Sequence, residues 1–290
     1  MRNKSQLELA LPREQEPDRN HRQGGRSFYF FDFDDNVAFL TTPIYLFHKS
    51  TGAAHAISSR ELAEEGSRIG KTGRFREFHL HDDPVVGSFQ RFRDREFGLV
   101  ERVMGKRQVF LEDVAAALGQ PDLNWKGPSW NCFYHAVFNR RPLALITARG
   151  HQPQTMAEGL RLMVRSGHLP FEPNYLGLFP VSHPEVQKQL GAESADSIPA
   201  LKQKALRQAV EKAKQQYGAR PPHRFGISDD DPKNIEWIQA EMQRLKFENP
   251  HMSFFVIQTH AEMIHKFEIF AERVEERVLH IESQLSLFGE

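Results

Sequence analysis

SFYFFDFDDNV, residues 27–37, is the stretch on which the reading of this chain turns. Phe28 to Phe31 form an apolar run of the kind that fills a strand buried on both faces. The run stops at Asp32, and Asp34, Asp35 and Asn36 follow at once. Clustered carboxylates repel, so a sequence that gathers them at a buried strand end implies a cation or another partner between them. Asp32 and Asp34 are two residues apart, which in extended backbone turns both side chains to the same side. An Asp-x-Asp arises by chance about once in a chain of this size, so the pair needs support from elsewhere.

The whole-chain composition limits the possibilities. The 290 residues suffice for one large α/β domain, or for a core domain with a smaller insertion. Lys plus Arg equals Asp plus Glu at 38 each, which gives no global pull toward nucleic acid or an anionic membrane. A single cysteine, Cys132, rules out an internal disulfide and argues against a thiolate metal site. No stretch approaches the roughly 20 apolar residues of a membrane span, and no apolar signal core opens the chain. These features lead us to expect a soluble, cytoplasmic protein.

Further apolar runs follow: PLALI (142–146), YLGLF (175–179), RFGIS (224–228) and SFFVI (253–257). Helical periodicity separates them. Met156, Leu160, Met163 and Val164 share one face; Leu206, Ala209, Val210, Ala213 and Tyr217 share a second; Ile235, Ile238, Met242 and Leu245 share a third. Alternating strands and helices predict a Rossmann-like α/β fold, an open parallel sheet with helices on both faces. Its site is expected at the C-terminal edge of the sheet. About a hundred residues between the first two core strands exceed an ordinary crossover, so 43–140 reads as an inserted cap, with a hairpin around Thr51-Gly52 and a capping box at SSRE (58–61). Residues 1–26 read as a mobile polar tail, 27–42 with 141–258 as the core, and 259–290 as an amphipathic C-terminal helix.

Three other strand-linked elements carry polar groups suited to phosphate and metal. LITARG brings Thr147 to the end of a strand, where its hydroxyl and the following N–H groups can bind phosphate oxygens. PALKQKAL sets Lys202 and Lys204 near the start of a helix, where a cation is unhelpful to the helix dipole. GISDDDPKN ends a strand in Asp229, Asp230 and Asp231, with Asn234 close behind, an oxygen-rich set that suits magnesium. Elsewhere the signals are weaker. Arg68, Lys71, Arg74, Arg76, Arg91 and Arg93, interleaved with Phe75, Phe78, Phe89 and Phe92, read mostly as a solvated face. Trp125, Lys126 and Trp130 read as packing, and His79 with His81 as a chance pair.

Together the four elements resemble the haloacid dehalogenase superfamily of phosphohydrolases: FFDFDDNV its first motif, LITARG its second, a helix-borne lysine its third and GISDDDPKN its fourth. The resemblance covers residues 27–37 and 141–258 and leaves the insert unmatched. It implies a magnesium-dependent phosphatase in which Asp32 is nucleophile and metal ligand, while Asp34 is general acid/base and lends its carbonyl to the metal. It further implies that Thr147 binds the phosphoryl oxygens, that Lys202, or alternatively Lys204, neutralises them, and that Asp229 with Asp230 or Asn234 completes the metal site. Asp35 and Asn36 stand where the family often has Gly and Thr, and Ser228 where Gly is common. The insert sits where the family carries a substrate-selecting C1 cap. The expected partner is a phosphorylated small molecule. Competing readings are a non-catalytic phosphate-binding or scaffold protein, and a phosphatase acting on nucleic-acid ends or phosphoproteins.

Overall fold

In the computed structural model, which describes residues 14–260 and 263–280, the 27–31 run forms β1 (Ser27–Phe31). The chain then leaves the main body for β2 (Ile44–His48), β3 (Ala54–Ile57), α1 (Ser59–Glu65) and β4 (Phe78–His79). It returns through α2 (Leu99–Val103), α3 (Val109–Leu118), α4 (Asp122–Trp125) and α5 (Trp130–Phe138). Next come β5 (Pro142–Thr147), α6 (Pro153–Arg165), β6 (Asn174–Pro180), α7 (Pro184–Gln189) and α8 (Ile198–Tyr217). The last elements are β7 (Arg224–Asp229), α9 (Pro232–Glu248), β8 (Ser253–His260), β9 (Met263–Ile269) and β10 (Val274–His280).

Seven strands form one mixed sheet in the order β10-β9-β8-β7-β1-β5-β6. The five strands from β8 to β6 are parallel, and β9 and β10 extend the sheet antiparallel. All five apolar runs are strands, as their composition requires when both faces are covered. Phe28 and Phe30 point into a core beneath α7, α8 and α9, and Tyr29 and Phe31 into a second core with α3, α5 and α6. Burying each of these rings contributes about 1.5–3 kcal/mol. The three predicted helical faces bury their apolar residues, with Val164 and Tyr217 at the margins.

Three boundaries differ from expectation. The helix expected over 259–290 is a pair of strands as far as His280; residues 281–290 lie outside the described residues. Ile264 packs with Phe255 and Ile257 on one face, whereas Phe267, Ile269 and Val274 join Phe254 and Val256 on the other, so the apolar period is two. The expected mobile tail is docked from Gln15 onward, and residues 1–13 lie outside the described residues. Asp18 is buried, accepts from the Ser27 N–H at 2.9 Å and pairs with buried Arg141 at 2.9 Å. A buried ion pair cannot fray without leaving a charge uncompensated, so it ties this segment to the head of the sheet.

The insert expected over 43–140 also divides. Residues 44–92 carry a three-stranded sheet, β3-β2-β4, with a small core of Ile44, Leu46, Ile57 and Phe75. The predicted hairpin and capping box are both present. By contrast Phe110, Val114, Trp125, Trp130 and Phe133 belong to the core against β1 and β5. That face of the parallel sheet needs a helical cover, and α6 alone does not supply it.

Candidate functional site

The C-terminal ends of β7, β1 and β5 lie side by side, because the chain pairs β1 with β5 on one flank and β7 on the other. Such a switch point opens a crevice at the sheet edge. Asp229 closes β7, Asp32 directly follows β1, and Thr147 closes β5. The strand order thus gathers three segments that are far apart in sequence.

The 32–38 turn is built to present acids while burying what lies between them. Phe33 goes into the core, its ring edge-on to Phe110 at 5.6 Å. The Val37 and Ala38 N–H groups donate back to the Phe33 carbonyl at 2.9 and 3.0 Å, and the Asp35 N–H donates to the Ala38 carbonyl at 3.1 Å. The tight reversal puts Asp35 at φ +56°, a left-handed conformation that Asp tolerates better than most residues. Asn36 is fully buried and ties the turn to two other strands. Its amide donates to the carbonyls of Asp32 (3.2 Å) and Ser228 (2.9 Å), and its oxygen accepts from Ser228 (3.1 Å) and Thr259 (2.9 Å). The NWKGPSW segment supports the same turn from outside. A Cβ on Gly127 would meet the Asn36 carbonyl oxygen at 2.3 Å, and the Ser129 N–H donates to that oxygen at 2.9 Å. The Trp125 and Trp130 rings meet edge-on at 4.6 Å, which makes this segment a buttress.

Asp32 and Asp229 face one another across Lys202. The buried ammonium lies 3.1 Å from Asp32 Oδ2 and donates to Asp229 Oδ2 at 2.8 Å. Asp229 Oδ1 accepts from Asn234 and from the Asp231 N–H, both at 3.0 Å. Asn234 therefore orients Asp229 through its amide donors. Lys204, two residues from Lys202, points elsewhere and pairs with Asp196 at 2.6 Å. Asp32, Asp229 and Asp230 each place a carboxylate oxygen within 4.8 Å of the others, and among the described residues this is the one such group of potential metal ligands.

One ammonium among three acids leaves excess negative charge. Burial pushes the Asp32 carboxyl well above the usual range, with Lys202 opposing and Asp229, Asp230 and Asp34 adding to the rise. Burial, then Asp229, pushes Asp230 up to about 7. Burial disfavours the Lys202 charge, but Asp229 and Asp32 outweigh it and hold the ammonium protonated. Asp32 Oδ1 is buried and has no hydrogen-bond partner among the described residues. An orphaned carboxylate oxygen beside two further carboxylates, all hard oxygen donors, fits a divalent cation such as magnesium.

Asp34 occupies a different environment. Arg149 grips its carboxylate from Nε (3.0 and 2.9 Å) and Nη2 (2.6 Å), and the Thr147 hydroxyl donates to it at 3.3 Å. Asp34 is not one of the three carboxylates that could share a metal ion, although its charge still acts on Asp32. Arg149 is wholly buried and was missed by sequence reasoning, although it stands two residues after Thr147 in LITARG. Its further partners are the Thr42 hydroxyl at 2.9 Å and His151 Nε2 at 3.3 Å. Exposed Arg68, Arg74 and Arg76 pair with half-buried Glu65, half-buried Glu61 and exposed Glu77, while Phe75 and Phe78 fill the small core.

No family model matches the chain, and no curated protein or solved structure matches it. What can be said of its chemistry rests on the α/β architecture and on these side chains. No helix among the described residues is long and apolar enough to cross a membrane.

Proposed function

We propose that the chain is a magnesium-dependent phosphate monoester hydrolase working through an aspartyl-phosphate. The observation that carries this reading is the buried, unpartnered Oδ1 of Asp32, held at the sheet edge beside Lys202 and the Asp229–Asp230 pair. Most buried side-chain oxygens in native proteins are hydrogen-bonded. An unsatisfied one backed by a cation is a candidate nucleophile or ligand.

On this reading Asp32 attacks phosphorus and Asp34 protonates the departing ester oxygen. Asp34 then takes a proton from the water that hydrolyses the aspartyl-phosphate. Lys202 neutralises phosphoryl charge while fixing Asp32 against Asp229. Thr147, buried at the end of β5, donates its one hydroxyl proton to Asp34 and would turn it to a phosphoryl oxygen when substrate binds. Asp32, Asp229 and Asp230 would hold magnesium, with Asn234 steadying Asp229. When bound, the ion supplies charge neutralisation for the transferring group. The protein's own contribution is mainly positioning and electrostatics, which dominate phosphoryl transfer.

The test is turnover of 4-nitrophenyl phosphate with magnesium. Asp32→Asn should lower it by about three orders of magnitude or more while the urea unfolding transition stays cooperative. Unchanged turnover in that variant refutes the reading.

A further inference from the structure

We propose that Arg149 is a positioning residue for proton transfer: it holds the Asp34 carboxylate toward the site and is itself fixed by residues at both ends of the 42–94 excursion. The inference rests on the phosphatase reading and assigns the group that makes Asp34 effective.

The pair is asymmetric. The Arg149 side chain is 1% exposed and that of Asp34 22%, so the guanidinium lies behind the acid and the acid has the open side. A buried guanidinium is costly to desolvate, which requires that its donors be met. Nε and Nη2 meet Asp34, Nη2 also reaches Thr42, and Nη1 reaches His151. The rings of Phe92 and Phe110 lie 4.8 and 4.9 Å from the guanidinium carbon, adding cation–π contacts. Thr42 donates onward to Asp113. His151 Nδ1 meets Asp94 at 2.9 Å, and Asp94 also accepts from the Gln152 N–H (2.9 Å) and the Thr155 hydroxyl (2.8 Å). The fork therefore has one orientation available, and Asp34 inherits it.

The step that depends on this orientation balances as follows. Asp32 oxygen bonds to phosphorus as the ester P–O bond breaks, and the leaving oxygen takes the proton carried by Asp34. Water then adds to phosphorus, gives one proton back to Asp34, and releases Asp32 with inorganic phosphate. Proton delivery matters most when the leaving alcohol is weakly acidic. A positioned general acid contributes about 10²–10⁴-fold to such a step.

The experiment compares 4-nitrophenyl phosphate, whose leaving group departs without help, with an alkyl phosphate, whose leaving group needs the proton. Arg149→Lys keeps the charge and loses the fork. It should lower kcat on the alkyl ester about 10²-fold and on the aryl ester less than about tenfold, with KM little changed. Asp34→Asn added to it should cost little more, since both changes remove one function. Thr42→Val, which removes only an outer support, should shift the ratio the same way by a smaller factor and serves if Arg149→Lys fails to fold. Equal losses on both esters, or a rise in KM with kcat preserved, overturn the inference: Arg149 would then support the fold or bind the phosphate directly. A wild-type protein that hydrolyses neither ester removes the phosphatase reading and this inference with it.

Discussion

Replacing Asn36 by alanine tests whether the turn that carries the acids is fixed by a single side chain. Asn36 makes four hydrogen bonds inside the protein, to the Asp32 and Ser228 carbonyls and from the Ser228 and Thr259 hydroxyls. A buried hydrogen bond contributes about 1 kcal/mol net, so truncation should cost about 3–4 kcal/mol. Ser228 keeps Ser129 and the Asp32 N–H, which bounds the loss from above. Thr259→Val removes only one of the four and should cost about 1 kcal/mol. Asn36→Asp turns the two donated bonds into contacts between oxygens beside an acidic group, and should destabilise at least as much as alanine. Urea titration of the three variants at constant m-value is the assay. If Asn36→Ala costs no more than Thr259→Val, Asn36 does not hold β1, β7 and β8 together and the account of the turn fails.

Two further outcomes follow from the charges. Lys202→Met leaves Asp32 and Asp229 buried without their cation and should cost about 3–5 kcal/mol in metal-free buffer. Magnesium should then raise the unfolding midpoint more in the variant than in the wild type, and equal shifts would remove the acids as its site. His151, lowered by burial with Arg149 adding to the effect, accepts at Nε2 from Arg149 and meets Asp94 through Nδ1, so a second proton would face the guanidinium. Its folded value lies below its unfolded one; its contribution is complete above about pH 6.5 and declines as pH falls toward the folded value. His151→Gln should flatten the stability–pH curve over that window relative to the wild type, with His223, also depressed by burial, supplying part of what slope remains. An unchanged curve would show that His151 does not titrate as its neighbours require.

The parallel strands were legible because burial on both faces leaves an uninterrupted apolar run, and the amphipathic helices because one face repeats every three or four residues. The hairpin β9–β10 was not. Its Glu and Arg favour helix, and only pairing with β8 overrides that preference. Asp32, Lys202 and Asp229 could be read from strand ends and one helix start. Which lysine serves could not be read from type alone, yet residues two apart on a helix point about 200° apart, so Lys202 and Lys204 cannot both face the sheet edge. Arg149 stayed hidden because its partners come from positions 34, 42, 92, 110 and 151, which only the folded chain brings together. The role of Asn36 stayed hidden for the same reason. Its four bonds depend on the alignment of three strands.

The excursion between β1 and the helices of the main body departs and returns at one place. Thr42 at its start contacts Arg149; at its end the Gly150 N–H donates to the Phe92 carbonyl at 2.8 Å, and Asp94 holds His151. A segment with its own small core and with both stems pinned within three consecutive residues is a cassette. Exchanging it between these stems should leave the sheet that carries the carboxylates intact. On the phosphatase proposal, the junction separates the strand ends that carry the carboxylates from a segment that can be exchanged without disturbing them.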